Sequence, residues 1–91
     1  MVNRPKKFKS QVGIYDEGYD MIEYTEEGVI QLAYEFNVYN LGDKDVEIQF
    51  NGIGDILILE PGEGFEINTF PIEHAIVKTN GANLKYVYWC W

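Results

Sequence analysis

The fold is decided by Val29-Ile30-Gln31-Leu32-Ala33-Tyr34-Glu35-Phe36-Asn37-Val38-Tyr39, then Asn40-Leu41-Gly42-Asp43-Lys44-Asp45, then Val46-Glu47-Ile48-Gln49-Phe50-Asn51. In the first stretch Ile30, Leu32, Tyr34, Phe36 and Val38 fall on one side, with Gln31, Glu35 and Asn37 on the other, the two-residue period of a half-buried strand. Residues 40–45 are turn chemistry, because Gly, Asn and Asp tolerate left-handed dihedrals and Asx side chains bond nearby amides. A chain reversal is expected there. Beyond it Val46, Ile48 and Phe50 alternate with Glu47, Gln49 and Asn51, which makes a second strand of the same kind.

Working outward, Asn51-Gly52-Ile53-Gly54-Asp55 breaks the pattern, and Ile56-Leu57-Ile58-Leu59 forms a denser apolar run stopped by Pro61-Gly62-Glu63-Gly64. Phe65, Ile67 and Thr69 then share a face, so two short strands joined by a tight turn are expected. Phe70 to His74 reads as a connection with room for a single helical turn, since Pro71 lacks the amide a central ladder needs. Ala75 to Thr79 and Leu84 to Trp91 flank Asn80-Gly81-Ala82-Asn83, and the Asn-Gly pair predicts a closing hairpin. Toward the start, Val12, Ile14 and Met21-Ile22 suggest one or two strands interrupted by Asp16-Glu17-Gly18. No segment sustains the three-and-four spacing of an amphipathic helix. The expected fold is all-β: a small antiparallel β-sandwich or barrel, jelly-roll-like, with six to eight short strands.

The 91 residues suit one domain, and their charge is split. Residues 1–11 carry Arg4, Lys6, Lys7 and Lys9 for +4; residues 12–91 hold 3 basic and 15 acidic groups, or -12. The reading is a basic, extended N-terminal arm (1–11) on a single acidic β-domain (12–91). In the arm Arg4, Lys6, Lys7, Phe8 and Lys9 are the candidate docking residues, four cations with an apolar anchor. The strongly acidic body disfavours nucleic acid as a partner, because it repels phosphate. No run approaches the ~18 to 20 apolar residues that span a bilayer, and the start lacks the apolar core of a signal peptide, so no membrane partner and synthesis in the cytoplasm are expected.

Catalytic chemistry has little to stand on. Cys90 is the one cysteine and His74 the one histidine, and HExxH, CxxC, GxSxG and GxxxxGK patterns are absent. The readings are therefore no catalytic residue, no metal and no cofactor. Cys90 between two tryptophans reads as a small buried hydrophobe, and His74 beside Glu73 as an exposed or capping side chain. Asp16, Glu17, Asp20 and Glu23, like Asp43 and Asp45, read as a solvated acidic face because their spacing matches no EF-hand loop. An enzyme working through paired carboxylates has only composition behind it.

The last strand sets Leu84, Tyr86, Tyr88 and Cys90 on one face and Lys85, Val87, Trp89 and Trp91 on the other. From Tyr86 onward both faces are apolar or aromatic. Two explanations stand side by side: a central strand in a thick core, or a face closed by another chain, with Tyr86, Tyr88, Trp89 and Trp91 as the oligomer interface. Stacking on sugar rings is a third use of such residues.

From Tyr34 to Trp91, the run Asn40-Leu41-Gly42-Asp43-Lys44-Asp45-Val46-Glu47-Ile48, the Ile-Leu-Ile-Leu segment, Pro61-Gly62-Glu63-Gly64-Phe65-Glu66-Ile67 and the strand before Asn80-Gly81-Ala82 resemble the small β-sandwich modules of tailed-bacteriophage virions. Those modules are head decoration proteins, neck and tail components and fibre attachment domains. The Pro-Gly-Glu segment also resembles a cupin strand, but the histidine-rich metal motif of cupins is missing. The phage resemblance implies a non-enzymatic structural subunit of the virion, a homo-oligomer with a trimer favoured, docked on a capsid or tail protein. The alternative is a carbohydrate-binding module using Trp89, Trp91 and a tyrosine.

Overall fold

The structure, a computed structural model, describes residues 7–22 and 33–90, with side chains for 9–22 and 33–89. It is all-β. Its seven strands are β1 (Lys7–Tyr15), β2 (Ala33–Asn40), β3 (Val46–Phe50), β4 (Ile56–Leu59), β5 (Gly64–Ile67), β6 (Ala75–Val77) and β7 (Ala82–Cys90). They form two antiparallel sheets, ordered β1-β7-β2-β5 and β4-β3-β6. An isolated bridge between Asp20 and Ile76 places the chain after β1 beside β6, in the fourth position of the second sheet.

This order is a jelly-roll wrap. The β2–β3 ribbon crosses from one sheet to the other and is paired on both flanks, with β5 and β4 on one side and β7 and β6 on the other. Among the described residues only the β3–β4 turn joins neighbours within a sheet; there Asn51 (φ 56°), Gly52 (68°) and Gly54 (82°) supply the left-handed dihedrals that a tight reversal requires.

The expected closing hairpin is corrected by this wiring. β6 and β7 lie in different sheets, and Asn80-Gly81 carries the chain across the gap between them. The turn chemistry is as expected, with Gly81 at φ 67°, but its groups serve distant partners. Asn80 Oδ1 accepts from Glu17 N (2.9 Å), Asn80 O accepts from Lys44 Nζ (2.6 Å), and Thr79 Oγ1 accepts from Glu47 N (2.9 Å). Likewise the Pro61-Gly62 turn, closed by Glu63 N donating to Glu60 O (3.0 Å), passes from β4 to β5 in the other sheet. No helical turn occupies 70–74; Ile72 instead forms a two-bond bridge with Ala33, at 2.9 and 2.8 Å.

Alternation predicts the inner face of β3 and most of β2. Val46 and Ile48 are buried, as are Phe36 and Val38, and Phe36 meets Phe50 edge-on across the gap at 5.8 Å. Tyr34 departs from the expectation. A bulge between Ala33 and Glu35 in the β2–β7 register slips the phase, so Ala33 is buried and Tyr34 is turned outward. Residues 29–32 of that expected strand lie outside the described residues. In β4 the dense apolar run is only half used: Leu59 is buried, whereas Ile56 and Ile58 look outward from an edge strand.

Among the described residues one polar side chain sits within this core. Asn40, 1% exposed, donates from Nδ2 to Leu59 O (2.9 Å) and Lys44 O (2.7 Å), and its Oδ1 accepts from Gly42 N (3.0 Å). Its backbone N donates to Glu63 O (2.9 Å), and its carbonyl accepts from Gly62 N (3.0 Å). A single amide thus ties the β2–β3 corner to the β4–β5 corner. Asn40→Asp cannot donate to two carbonyls and Asn40→Leu can neither donate nor accept. Each is expected to lower the unfolding free energy by about 3 kcal/mol in urea titration, and a loss below about 1 kcal/mol contradicts this role.

Candidate functional site

The surface with functional potential is built where β1 and β7 pair. In that register Lys7 faces Cys90, Phe8 faces Trp89 and Lys9 faces Tyr88. The two candidate groups, basic arm and aromatic strand, therefore lie side by side, and residues 7–11 of the arm are part of β1. Arg4, Lys6 and Trp91 lie outside the described residues. Of the proposed interface tyrosines, Tyr86 (0% exposed) and Tyr88 (1%) point into the sandwich, where they belong to the chain's own core and are closed to a partner chain or a sugar ring. Trp89 is half-buried on the opposite, outward face.

Inside the β1 edge a tyrosine chain seals the gap between the sheets. Tyr86 Oη donates to Gln11 Oε1 (2.9 Å) and lies 2.8 Å from Tyr19 Oη. Tyr15 stacks on Tyr19 at 4.4 Å and tilts against Tyr86 at 5.8 Å. Gly13 of β1 makes room for this, since a Cβ there would meet the Tyr15 hydroxyl at 2.9 Å. Burial, then the hydrogen bond with Tyr19, pushes the Tyr86 phenol far above its ordinary range, and burial raises Tyr15. At neutral pH these hydroxyls are uncharged hydrogen-bonding groups. They fasten the edge and do not supply a base.

Outside, β1 presents Val12 and Ile14 at 63% and 71% exposed, beside Lys85 and Asn83 of β7. In the sequence these residues suggest a strand, but not which of its faces is turned outward. The outward turn has a physical cause: β1 is an edge strand whose inner face is taken by Gln11, which accepts from Tyr86 Oη, and by the glycine under Tyr15, so the aliphatic residues take the outward face. Val87 of β7 adds to this surface.

Two other places hold unusual side chains. Asp20 accepts from His74 Nδ1 (2.7 Å, Oδ2), Ile22 N (3.0 Å, Oδ1) and Ala75 N (3.1 Å, Oδ1). Asn51 Oδ1 accepts from Glu73 N (2.7 Å) and His74 N (3.2 Å). His74 and Asp20 thus lash the segment after β1 to the start of β6. The second place is a groove of about 370 Å³ between the edges β4 and β5, floored by Phe50, Phe65 and Phe70 and rimmed by Asp55 and Glu66. Among the described residues no group of three or more His, Cys, Asp or Glu side chains is placed to hold a metal ion. No helix of the described residues is long and apolar enough to cross a membrane.

No protein-family model, curated protein or solved structure matches the chain.

The tyrosine chain gives a pH prediction. The Tyr86 pKa in the folded chain lies above the ordinary 10.0, so the unfolded chain releases this proton first. Stability is then intact below pH 10 and falls as pH rises above it. Tyr86 is expected to ionise together with loss of the circular dichroism signal. Complete tyrosinate absorbance in a chain that keeps its fold contradicts this.

Proposed function

We propose that this chain is a non-enzymatic structural subunit of a phage virion, self-associating and docked on a capsid or tail protein by its basic leader. The observation that carries the reading is the charge split along the chain: +4 within residues 1–11, of which 7–11 belong to edge strand β1, against -12 over residues 12–91. A cationic leader is attracted to an acidic groove on a shell subunit, and the acidic body repels packaged nucleic acid. The jelly-roll wrap supports it as architecture, since capsid proteins use this wrap, as do lectins and cupins. The leader, not the fold, favours the first of these.

Docking of this kind is electrostatic and screened by salt. The full chain is expected to sediment with virions of its source in low salt and to leave them as salt is raised. The double variant Arg4→Glu, Lys6→Glu is expected to bind at least about tenfold more weakly. Undiminished binding by that variant removes the leader from the mechanism, and a chain never recovered with virions overturns the virion role. Saturable binding on a glycan array, without virion binding, selects the carbohydrate-binding alternative.

A further inference from the structure

We propose that the self-association surface is the free edge of β1, and that its partner is β1 of a second copy, joined antiparallel so that two four-stranded sheets become one of eight. This names the surface behind the self-association proposed above and depends on no other part of that reading. Among the described residues β1 has a neighbour on one side, β7, along all nine of its residues. A strand this long whose outer edge meets no other described strand is a template for another strand; proteins that must remain single blunt such edges with bulges, prolines or inward charges, and of these β1 carries Lys9, on the same face as Gln11 and Tyr15. The β1–β7 ladder runs from Lys7 to Tyr15 without a register shift, and β1 contains no proline.

The register follows from ladder geometry. In an antiparallel ladder alternate residues direct their amide and carbonyl groups to one neighbour and the residues between direct theirs to the other. Across a seam between two copies, residues of equal parity must therefore face each other, so the two-fold axis passes through a residue. Centring it on Gln11 pairs all nine residues, whereas centring on Ser10 or Val12 pairs seven.

Charge selects the same register. With Gln11 at the axis, Lys7 faces the partner's Tyr15, one residue from the partner's Asp16 and two from the partner's Glu17. The basic end of each strand lies against the acidic end of the other, twice per pair. On the outward face Ser10 then lies opposite the partner's Val12, so exposed Val12 and Ile14 of both copies line one stripe across the seam. Tyr86 and Tyr88 stay in their own cores. A strand paired with itself closes with two-fold symmetry, so this surface makes a dimer and not the trimer that the phage resemblance implies.

The test is the mass of the full chain in solution. The expected value at high protein concentration is twice the 10.5 kDa of one chain, falling toward one chain on dilution or in high salt. Val12→Lys puts a charge beside the seam at a position 63% exposed, so the fold should hold by circular dichroism while dimerisation weakens about tenfold or more. Lys7→Glu alone should weaken it, and mixing that variant with Glu17→Lys should restore a mixed dimer. Gln11→Cys, oxidised with a mild copper catalyst, should give a disulfide-linked dimer that the wild type, with Cys90 alone, does not. A wild type monomeric at high concentration, or a dimer indifferent to Val12→Lys and Lys7→Glu, overturns the proposal. A dimer that never joins virions leaves the edge pairing standing and removes the virion role, whereas a virion-bound monomer does the reverse.

Discussion

The structure depends on the aromatic stack that fills the gap between its two sheets. Phe36 lies nearly parallel to Tyr86 (6.4 Å, 12°) and to Tyr88 (6.1 Å, 16°), and the two tyrosines are parallel to each other at 6.2 Å. A chain of 91 residues has little volume in which to bury apolar surface, and large flat rings supply it with few side chains. This demand makes β7 central: its inner face must carry the rings, and strands on both sides are needed to close them off. β1 is therefore pressed to the edge, with its own aliphatic residues turned outward.

The polar groups inside the molecule serve the same closure. Asn40 joins two corners of the wrap, Asp20 fastens the chain after β1 and Asn51 the β3–β4 turn to the start of β6 at His74, and the Tyr19–Tyr86–Gln11 chain seals the open side. The buried Asn40 amide and Tyr86 hydroxyl are tolerated because each has partners. In each case the bonds join segments far apart in sequence, so these groups specify which corner meets which. The hydrophobic pattern alone leaves that undetermined.

This explains what the sequence disclosed and what it did not. The period of Phe36, Val38, Val46 and Ile48 was legible because a two-residue repeat belongs to one strand and is a local property. The Asn80-Gly81 turn was legible as a turn but not as a sheet crossing, because the same dihedrals serve a hairpin and a corner. Tyr34 was misplaced by a bulge that depends on the β7 partner strand. At the β1–β7 surface the two ingredients, cations near the start and aromatics near the end, were visible separately. Their adjacency was not, since Phe8 and Trp89 meet only through a ladder spanning nearly the whole chain. The outward turn of Val12 and Ile14 was hidden for the same reason, as it depends on Tyr15 covering Gly13.

The closing strand is spent on the chain's own core, and the edge beside it is the one we propose for association. Amide hydrogen exchange of the full chain at two concentrations, one favouring monomer and one favouring the pair, tests this most directly. Amides of β7 should be protected alike in both, while alternate amides of β1 gain protection only at the higher concentration. Exchange in β1 that ignores concentration, or protection that shifts to Trp89 and its neighbours in β7 instead, would contradict the account.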